Sequence, residues 1–138
     1  DKMAEMIDLV AKRGIADKFH FPGFMRGKQV QEMLAMSDVY IMPSVSEPFG
    51  ISPLEAMQVG CPSIISHQSG CAEILQHAIK TDYWDIDAMA DAIYAIVKYP
   101  AMYKSLHELG MAEVNNIKWS DAGLKVRRIY DGVINHTL

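Results

Sequence analysis

Residues 46–57, SEPFGISPLEAM, carry more information about the fold than any other stretch of this sequence. They follow residues 39–43, VYIMP, a short apolar run rich in β-branched and aromatic side chains that predicts a buried strand. Gly50 and the neighbouring prolines indicate a loop, and Ser52-Pro53 predicts a helix start with Ser52 as the N-cap residue. A strand, a loop and a helix N-terminus in this order form the edge of an open α/β sheet at which ligands bind.

Two carboxylates, Glu47 and Glu55, flank the predicted helix start, with seven residues between them. The partial positive charge of a helix N-terminus suits a phosphate group. Each carboxylate also has a simpler interpretation. Glu47 could be a solvated loop acid, and Ser52-x-x-Glu55 matches a capping box, in which Glu55 accepts a hydrogen bond from the N–H of Ser52.

The segment resembles the Glu-x7-Glu motif of retaining, nucleotide-sugar-dependent glycosyltransferases, the family-four group also called glycosyl transferases group 1. The match includes the Phe-Gly pair, the Glu-Ala-Met triplet and the following residues 60–66, GCPSIIS. The similarity covers nearly all of the chain and extends to three further segments: residues 19–24 (FHFPGF), residues 69–74 (SGCAEI) and Trp119-Ser120.

The resemblance implies an α/β fold, a Rossmann-like parallel sheet with flanking helices that forms part of the C-terminal lobe of a GT-B enzyme. Such a lobe binds a nucleoside-diphosphate sugar, and the enzyme transfers the sugar to an acceptor hydroxyl with retention and without a cofactor or tightly held metal. Residues 1–138 are therefore predicted to be a single, partial nucleotide-sugar-binding domain. The terminal helix, residues 119–138, is expected to pack against an N-terminal acceptor lobe.

The chain begins at Asp1 and enters a helical pattern at once, which we interpret as a piece of a longer protein. By resemblance, the lobe's first strand, an Arg and a Lys for the pyrophosphate, and the acceptor lobe with its active-site His are expected upstream. The fragment alone is therefore expected to be inactive.

The resemblance also assigns roles to residues of the motif. Glu47 is the catalytic-site residue, expected to hydrogen-bond hydroxyls of the donor sugar, with no role as a nucleophile assigned. Glu55 is expected to bind the two ribose hydroxyls. The backbone N–H groups of Phe49, Gly50 and Ile51 are expected to face the donor sugar and the pyrophosphate.

A second loop, at Gly23, Phe24 and Met25, follows the predicted strand 18–21 and would share the binding edge of the sheet. In the family this loop contacts the nucleotide base, largely through its backbone. Arg26 could add positive charge there, although a solvated side chain is the simpler interpretation. The segment 69–74 departs from the family pattern, because Ser69 replaces the first residue of a Gly-Gly pair.

Asp85-Ile86-Asp87 matches the metal motif of a different glycosyltransferase fold. Asp85 stands where a helix cap belongs, and Asp87 lies in the first turn, where the helix dipole favours acids, so capping is the preferred interpretation. Cys61 and Cys71 are too far apart for a zinc or redox motif and are interpreted as reduced thiols. No metal site is predicted.

Composition excludes several classes of protein. Half of the 138 residues are apolar and 22% are charged, which is typical of one folded domain rather than a disordered or fibrous chain. The net charge of −4 argues against general nucleic-acid binding. No apolar run approaches the ~20 residues of a membrane span, and no signal-peptide pattern opens the chain. We expect a cytoplasmic protein without a transmembrane segment, and the complete enzyme could associate peripherally with a membrane.

Periodicity predicts strands that alternate with helices, and therefore βαβ units in a parallel sheet. The predicted strands are 18–21, 39–42, 62–66 and, weakly, 79–81; the predicted helices are 2–13, 27–36, 53–59, 70–76, 86–97, 101–113 and one from 119. The alternative function is a non-catalytic nucleotide or nucleotide-sugar sensor, because such sheets serve many functions. A receiver-like signalling domain is disfavoured, because Asp38 precedes its strand.

Overall fold

The computed structural model describes residues 1–135. The chain divides into two compact units, Asp1–Val30 and Gln31–Leu138, and each is described by itself.

The first unit contains one complete helix, α1 (Lys2–Lys12), followed by a 3₁₀ turn at Ala16–Lys18. The side chain of Asp1 caps α1 by accepting a hydrogen bond from the N–H of Met3 at 3.1 Å. The predicted strand 18–21 is wrong. The backbone of Phe19 is extended, but no segment among the described residues pairs with it, and a strand exists only through its ladder.

The sheet belongs to the second unit and has three strands, β1 (Tyr40–Met42), β2 (Ser63–Ser66) and β3 (Ile79–Thr81). Their order is β1-β2-β3 and both pairings are parallel, with Ile41 opposite Ile64 and Ile65 opposite Lys80. Every residue of β2 is buried, as expected for the central strand of a parallel sheet that is covered on both faces. The prediction of a parallel α/β sheet is confirmed.

Helices alternate with these strands along the chain. The remaining helices are α2 (Lys28–Ala35), α3 (Ile51–Gln58), α4 (Ile86–Lys98), α5 (Pro100–Asn115) and α6 (Trp119–Ile134), with a 3₁₀ turn at Gly70–Glu73. α3 links β1 to β2 and packs against both strands and against α5, and α4 packs against β2, β3 and α5. This arrangement places the acidic loop 43–50, between β1 and α3, at the carboxyl edge of the sheet.

The core lies between the sheet and these helices. Its buried members include Met57 from α3, Ile65 from β2, Leu75 after the 3₁₀ turn, and Val114 from α5. Burying one such side chain contributes about 1.5–3 kcal/mol. The acidic loop is therefore carried by a strand and a helix that are both anchored in the core.

The last helix differs from the others, because none of the residues 119–134 has a buried side chain. Apolar side chains such as Ile129 and Val133 are more than half exposed. The prediction for the terminal helix also covers residues 136–138, which lie outside the described residues.

One partly buried carboxylate ties α5 to the segment that precedes β3. Glu113 accepts hydrogen bonds from the backbone N–H groups of Gln76 at 2.7 Å and His77 at 2.9 Å, and the His77 ring nitrogen Nδ1 lies 3.2 Å from the same carboxylate. Burial by itself would raise the pKa of Glu113, but these hydrogen bonds outweigh it and the pKa is lowered. The ionised form is thus the one that the folded protein stabilises.

We expect this attachment to weaken in acid. Because the pKa of Glu113 is lower in the folded than in the unfolded protein, its contribution to stability is complete above the unfolded value of about 4.3 and is lost as the pH falls through the folded value. Urea unfolding of the wild type and Glu113→Gln between pH 7 and pH 3 should show a difference in unfolding free energy that shrinks towards low pH. A difference that stays constant over this range would contradict the expectation.

Candidate active site

The acidic loop ends at the cap of α3, and that cap is Gly50 rather than Ser52. α3 begins at Ile51, and Gly50 has the left-handed backbone angles φ 91° and ψ 85° without a side-chain cap. The predicted cap at Ser52 is wrong, because its hydroxyl lies inside the first turn, accepts a hydrogen bond from the Tyr40 hydroxyl at 2.8 Å and faces the sulfur of Met42. The capping box with Glu55 does not form, so the structural interpretation of this carboxylate is removed.

Gly50 is required for a second reason besides its positive φ. A Cβ atom at this position would lie 2.8 Å from Cε of Met42, 3.2 Å from Cγ of Glu47 and 3.3 Å from Sγ of Cys71. Any side chain would therefore push against the acidic residue of the motif. Sequence reasoning identified the flexible glycine but not the crowding around it.

The acidic loop is hydrogen-bonded to the segment that follows β2. Glu47 and Ser69 form an isolated parallel bridge. The N–H of Gly70 donates to the carbonyl of Glu47 at 2.9 Å, and the N–H of Cys71 donates to the carbonyl of Phe49 at 2.6 Å. These bonds fix the backbone on both sides of Pro48 and leave the carboxylate of Glu47 outside the ladder.

Two serine hydroxyls strengthen this attachment. Ser66 donates to the carbonyl of Ser44 at 2.6 Å and shares a hydrogen bond of 2.9 Å with Ser69, and both Ser66 and Ser69 are buried. The serine that departs from the family pattern is thus a structural member of the loop support. The sequence signal for this role is Ser66, a polar residue at the carboxyl end of the strand SIIS.

Glu47 is half-buried. Its carboxylate and the backbone N–H groups that follow it make few hydrogen bonds among the described residues. Its carboxylate lies 3.5 Å from the N–H of Phe49, the outer limit of a hydrogen bond. The N–H groups of Gly50 and Ile51 donate to no acceptor in the described part of the chain, as is usual for a helix N-terminus. A carboxylate and backbone donors therefore lie side by side at the carboxyl edge of the sheet.

A groove of about 570 Å³ runs along α3 from this loop. Its lining is mainly apolar and includes Phe49, Ile51, Leu54, Glu55, Gln58, Val114, Ile117, Lys118, Trp119 and Ala122. Among residues 1–135, Glu55 is the only carboxylate in this lining and Lys118 is its only cation. The structure thus brings five predicted site residues together in the second unit: Glu47 and Gly50 in the loop, and Phe49, Ile51 and Glu55 in the groove.

The other predicted site residues, Gly23, Phe24 and Met25, lie in the first unit and are described by themselves. Gly23 has a positive φ of 77°, and Phe24 is 82% exposed, with the Arg26 guanidinium 4.8 Å from its ring centroid. This loop does not follow a strand of the three-stranded sheet. Its predicted place at the sheet edge depended on the strand 18–21, which does not form.

The remaining candidate groups have structural roles. Asp85 caps α4 by accepting from the N–H of Ala88 at 2.9 Å, which confirms the capping interpretation. Cys61 and Cys71 are free, buried thiols, as predicted. Burial, with a smaller contribution from Asp38, raises the pKa of Cys61 to about 11, and burial also raises the pKa of Cys71.

Among residues 1–135, no three His, Cys, Asp or Glu side chains are grouped closely enough to hold a metal ion. None of the helices in this range has the length and apolar character required to cross a bilayer.

The fold has a close counterpart among solved structures. It superposes on the sucrose-phosphate synthase of Thermosynechococcus elongatus with a TM-score of 0.82 at 24% identity, over 98% of this chain and 35% of that chain. This similarity shows the GT-B glycosyltransferase fold.

Sequence relatives agree. The chain is 33% identical to N-acetyl-alpha-D-glucosaminyl L-malate synthase of Bacillus anthracis over 75% of its own length and 27% of the relative's. It is 30% identical to 2-deoxystreptamine N-acetyl-D-glucosaminyltransferase of Niallia circulans, over 79% of its length and 29% of the relative's. It thus spans less than a third of these relatives. The sequence profile described as "Glycosyl transferases group 1" matches residues 1–112, and the chain therefore belongs to this glycosyltransferase family.

Proposed function

We propose that this chain is the donor-binding part of a longer, retaining glycosyltransferase that moves a sugar from a nucleoside diphosphate to an acceptor hydroxyl. Membership of the glycosyltransferase family supports the sugar-transfer reaction. The nucleotide-sugar donor and the retention of configuration are carried by the resemblance of the Glu-x7-Glu motif.

The observation that supports the proposal most strongly is the release of Glu55 from a capping role. With Gly50 as the N-cap of α3, the Glu55 carboxylate is exposed in the groove and its structural explanation is gone. A carboxylate that accepts from two vicinal hydroxyls makes charge-assisted hydrogen bonds, which are stronger than neutral ones. We assign Glu55 to the ribose of the donor.

The motif loop would hold the rest of the donor. Glu47 would accept hydrogen bonds from hydroxyls of the transferred sugar. The N–H groups of Phe49, Gly50 and Ile51, at the positive end of the α3 dipole, would face the sugar and the pyrophosphate. Their contribution to the reaction would be to orient the donor and to stabilise the negative charge on the departing diphosphate.

The nucleotide base would be bound through the loop at Gly23, Phe24 and Met25. The left-handed conformation of Gly23 is compatible with close approach of the backbone to a ligand. The Arg26 guanidinium approaches one face of the Phe24 ring. As in the family that the sequence resembles, the proposal uses the backbone of this loop rather than its aromatic ring.

The proposal places the acceptor-binding lobe, its active-site His and the basic residues for the pyrophosphate outside this chain. The small share of each relative that the chain spans supports this division. The exposed apolar side of α6 would be covered by that lobe. The enzyme would work in the cytoplasm, where nucleotide sugars are its substrates, and without a cofactor or a tightly held metal.

We expect the isolated chain to transfer no sugar, while the complete enzyme turns over at least one donor. The test offers radiolabelled uridine, guanosine and adenosine diphosphosugars to both proteins, and NMR of the product determines the anomeric configuration. Turnover by the isolated chain would contradict the proposed division into lobes, and an inverted product would contradict retention. Tight nucleotide binding by the complete protein without any turnover would favour the alternative function, a non-catalytic nucleotide or nucleotide-sugar sensor.

A further inference from the structure

A path of hydrogen bonds, joined by the backbone between adjacent residues, leads from α5 to the acidic loop. At one end, Glu113 accepts from the N–H groups of Gln76 and His77. The N–H of Leu75, the residue before them, donates to the carbonyl of Cys71 at 2.9 Å. Cys71 in turn donates to Phe49, and the adjacent Gly70 donates to Glu47. The path therefore ends on the backbone of two residues that the proposed function assigns to the donor.

The carboxylate of Glu113 is placed to act at a distance from the site. Only 13% of its side chain is exposed, and its two oxygens divide the donors between them: Oε1 accepts from Gln76, and Oε2 accepts from His77. The residue after it, Val114, lines the same groove as Glu55. One side chain thus connects the wall of the groove formed by α5 to the loop that forms its other end.

We propose that Glu113 is a positioning residue for donor binding, which holds the 3₁₀ turn Gly70–Glu73 and thereby the acidic loop in register with the groove. The inference rests on the proposed function, because Glu47 and Phe49 matter to the donor only if the chain binds one. Glu113 itself does not line the groove and takes no part in the chemistry.

Glutamine cannot replace this carboxylate. Its amide has one acceptor oxygen and one NH₂ group, so one of the two backbone N–H groups would face a donor instead of an acceptor. In contrast, His77→Ala removes only the ring contact and leaves both backbone hydrogen bonds to Glu113 in place. Glu108→Gln, five residues earlier on α5, removes the same charge from an exposed pair with Lys104 and is the matched control.

The experiment measures the complete enzyme with Glu113→Gln, Glu113→Asp, His77→Ala and Glu108→Gln. We expect Glu113→Gln to raise the Kd for a nucleoside diphosphate about tenfold. This is roughly the effect of losing one charge-assisted hydrogen bond between the displaced acidic loop and the donor. The KM for the acceptor should not change. His77→Ala and Glu108→Gln should bind like the wild type. A role limited to stability would lower the amount of active enzyme, and thus the maximal rate, without changing the Kd of the folded molecules.

A measurement without ligand separates this inference from the proposed function. Amide hydrogen exchange in peptides that cover residues 46–50 and 69–77 should be faster in Glu113→Gln than in the wild type. Unchanged exchange, or an unchanged Kd where the wild type binds, would overturn the inference and leave the function standing. Faster exchange in Glu113→Gln, together with a wild type that binds no nucleoside diphosphate, would instead overturn the function. If Glu113→Gln does not fold, Glu113→Asp is measured in its place, since it keeps the charge and shortens the reach.

Discussion

Replacing Glu55 with glutamine is expected to weaken nucleoside-diphosphate binding by the complete enzyme by about 1.5–3 kcal/mol, or roughly ten- to more than a hundredfold. The carboxylate is exposed in the groove and caps nothing, so glutamine should leave the free energy of unfolding nearly unchanged. Calorimetric titration of the nucleoside diphosphate measures the first quantity and urea unfolding the second. Wild-type affinity in Glu55→Gln would remove this residue from the site.

Two controls make this experiment specific. Glu108→Gln removes an equivalent exposed charge from α5 and should leave nucleotide affinity unchanged. Ser52→Ala deletes the hydroxyl that accepts from Tyr40 within the first turn of α3. Because Ser52 is not the cap, the loss should be that of one ordinary hydrogen bond, about 0.5–1.5 kcal/mol of stability, rather than the loss of a helix cap.

Gly70→Ala is expected to have the second large effect, on stability as well as on binding. A Cβ atom at this position would overlap the carbonyl oxygen of Pro48 and lie 2.9 Å from its carbonyl carbon and 3.0 Å from Cα of Phe49. These are backbone atoms, so the loop itself would have to move. Overpacking of this kind costs about 1–3 kcal/mol. The displaced amides should also weaken binding of the nucleoside diphosphate, as measured by the same titration.

Gly123→Ala is the matched control for this substitution. Gly123 lies in α6, and a Cβ atom there would meet nothing within 4 Å. Alanine favours helix over glycine, so this variant should be neutral or more stable by about 0.4–1 kcal/mol. If Gly70→Ala unfolded at the same urea concentration as Gly123→Ala and bound nucleotide like the wild type, the tight packing of Gly70 against the backbone of the acidic loop would be disproved.

The parallel sheet could be predicted because its determinants are local. Residues 63–66 and 79–81 are short runs between turn residues, and each was identified to within one residue of its observed bounds. Residues 18–21 have a similar pattern but form no strand among the described residues, since pairing depends on a partner that a local pattern does not reveal. Local periodicity thus predicts the conformation of a segment more reliably than it predicts which strand the segment pairs with.

The site was predicted less completely, for the same physical reason. Ser52-Pro53 is a strong local signal for a helix start. Nevertheless α3 begins at Ile51, before the predicted start at residue 53, because Gly50 adopts a positive φ and is the N-cap residue. The crowding around Gly50 and Gly70 comes from residues distant in the sequence, as do the hydrogen bonds of Glu113. The acidic residues of the motif could be identified from sequence, whereas the contacts that support them required coordinates.

The separation between Glu113 and its backbone donors has a consequence for the order in which the protein matures during synthesis. The bonded partners are 37 and 36 positions apart in the sequence. At about 5–20 residues per second, a ribosome needs roughly 2–7 s to add that length. During this interval the acidic loop and the turn behind it have already been translated but lack their anchor. The loop should therefore acquire its final geometry only after α5 has emerged, so a pause in translation before the codon for Glu113 would prolong the life of an incompletely ordered site.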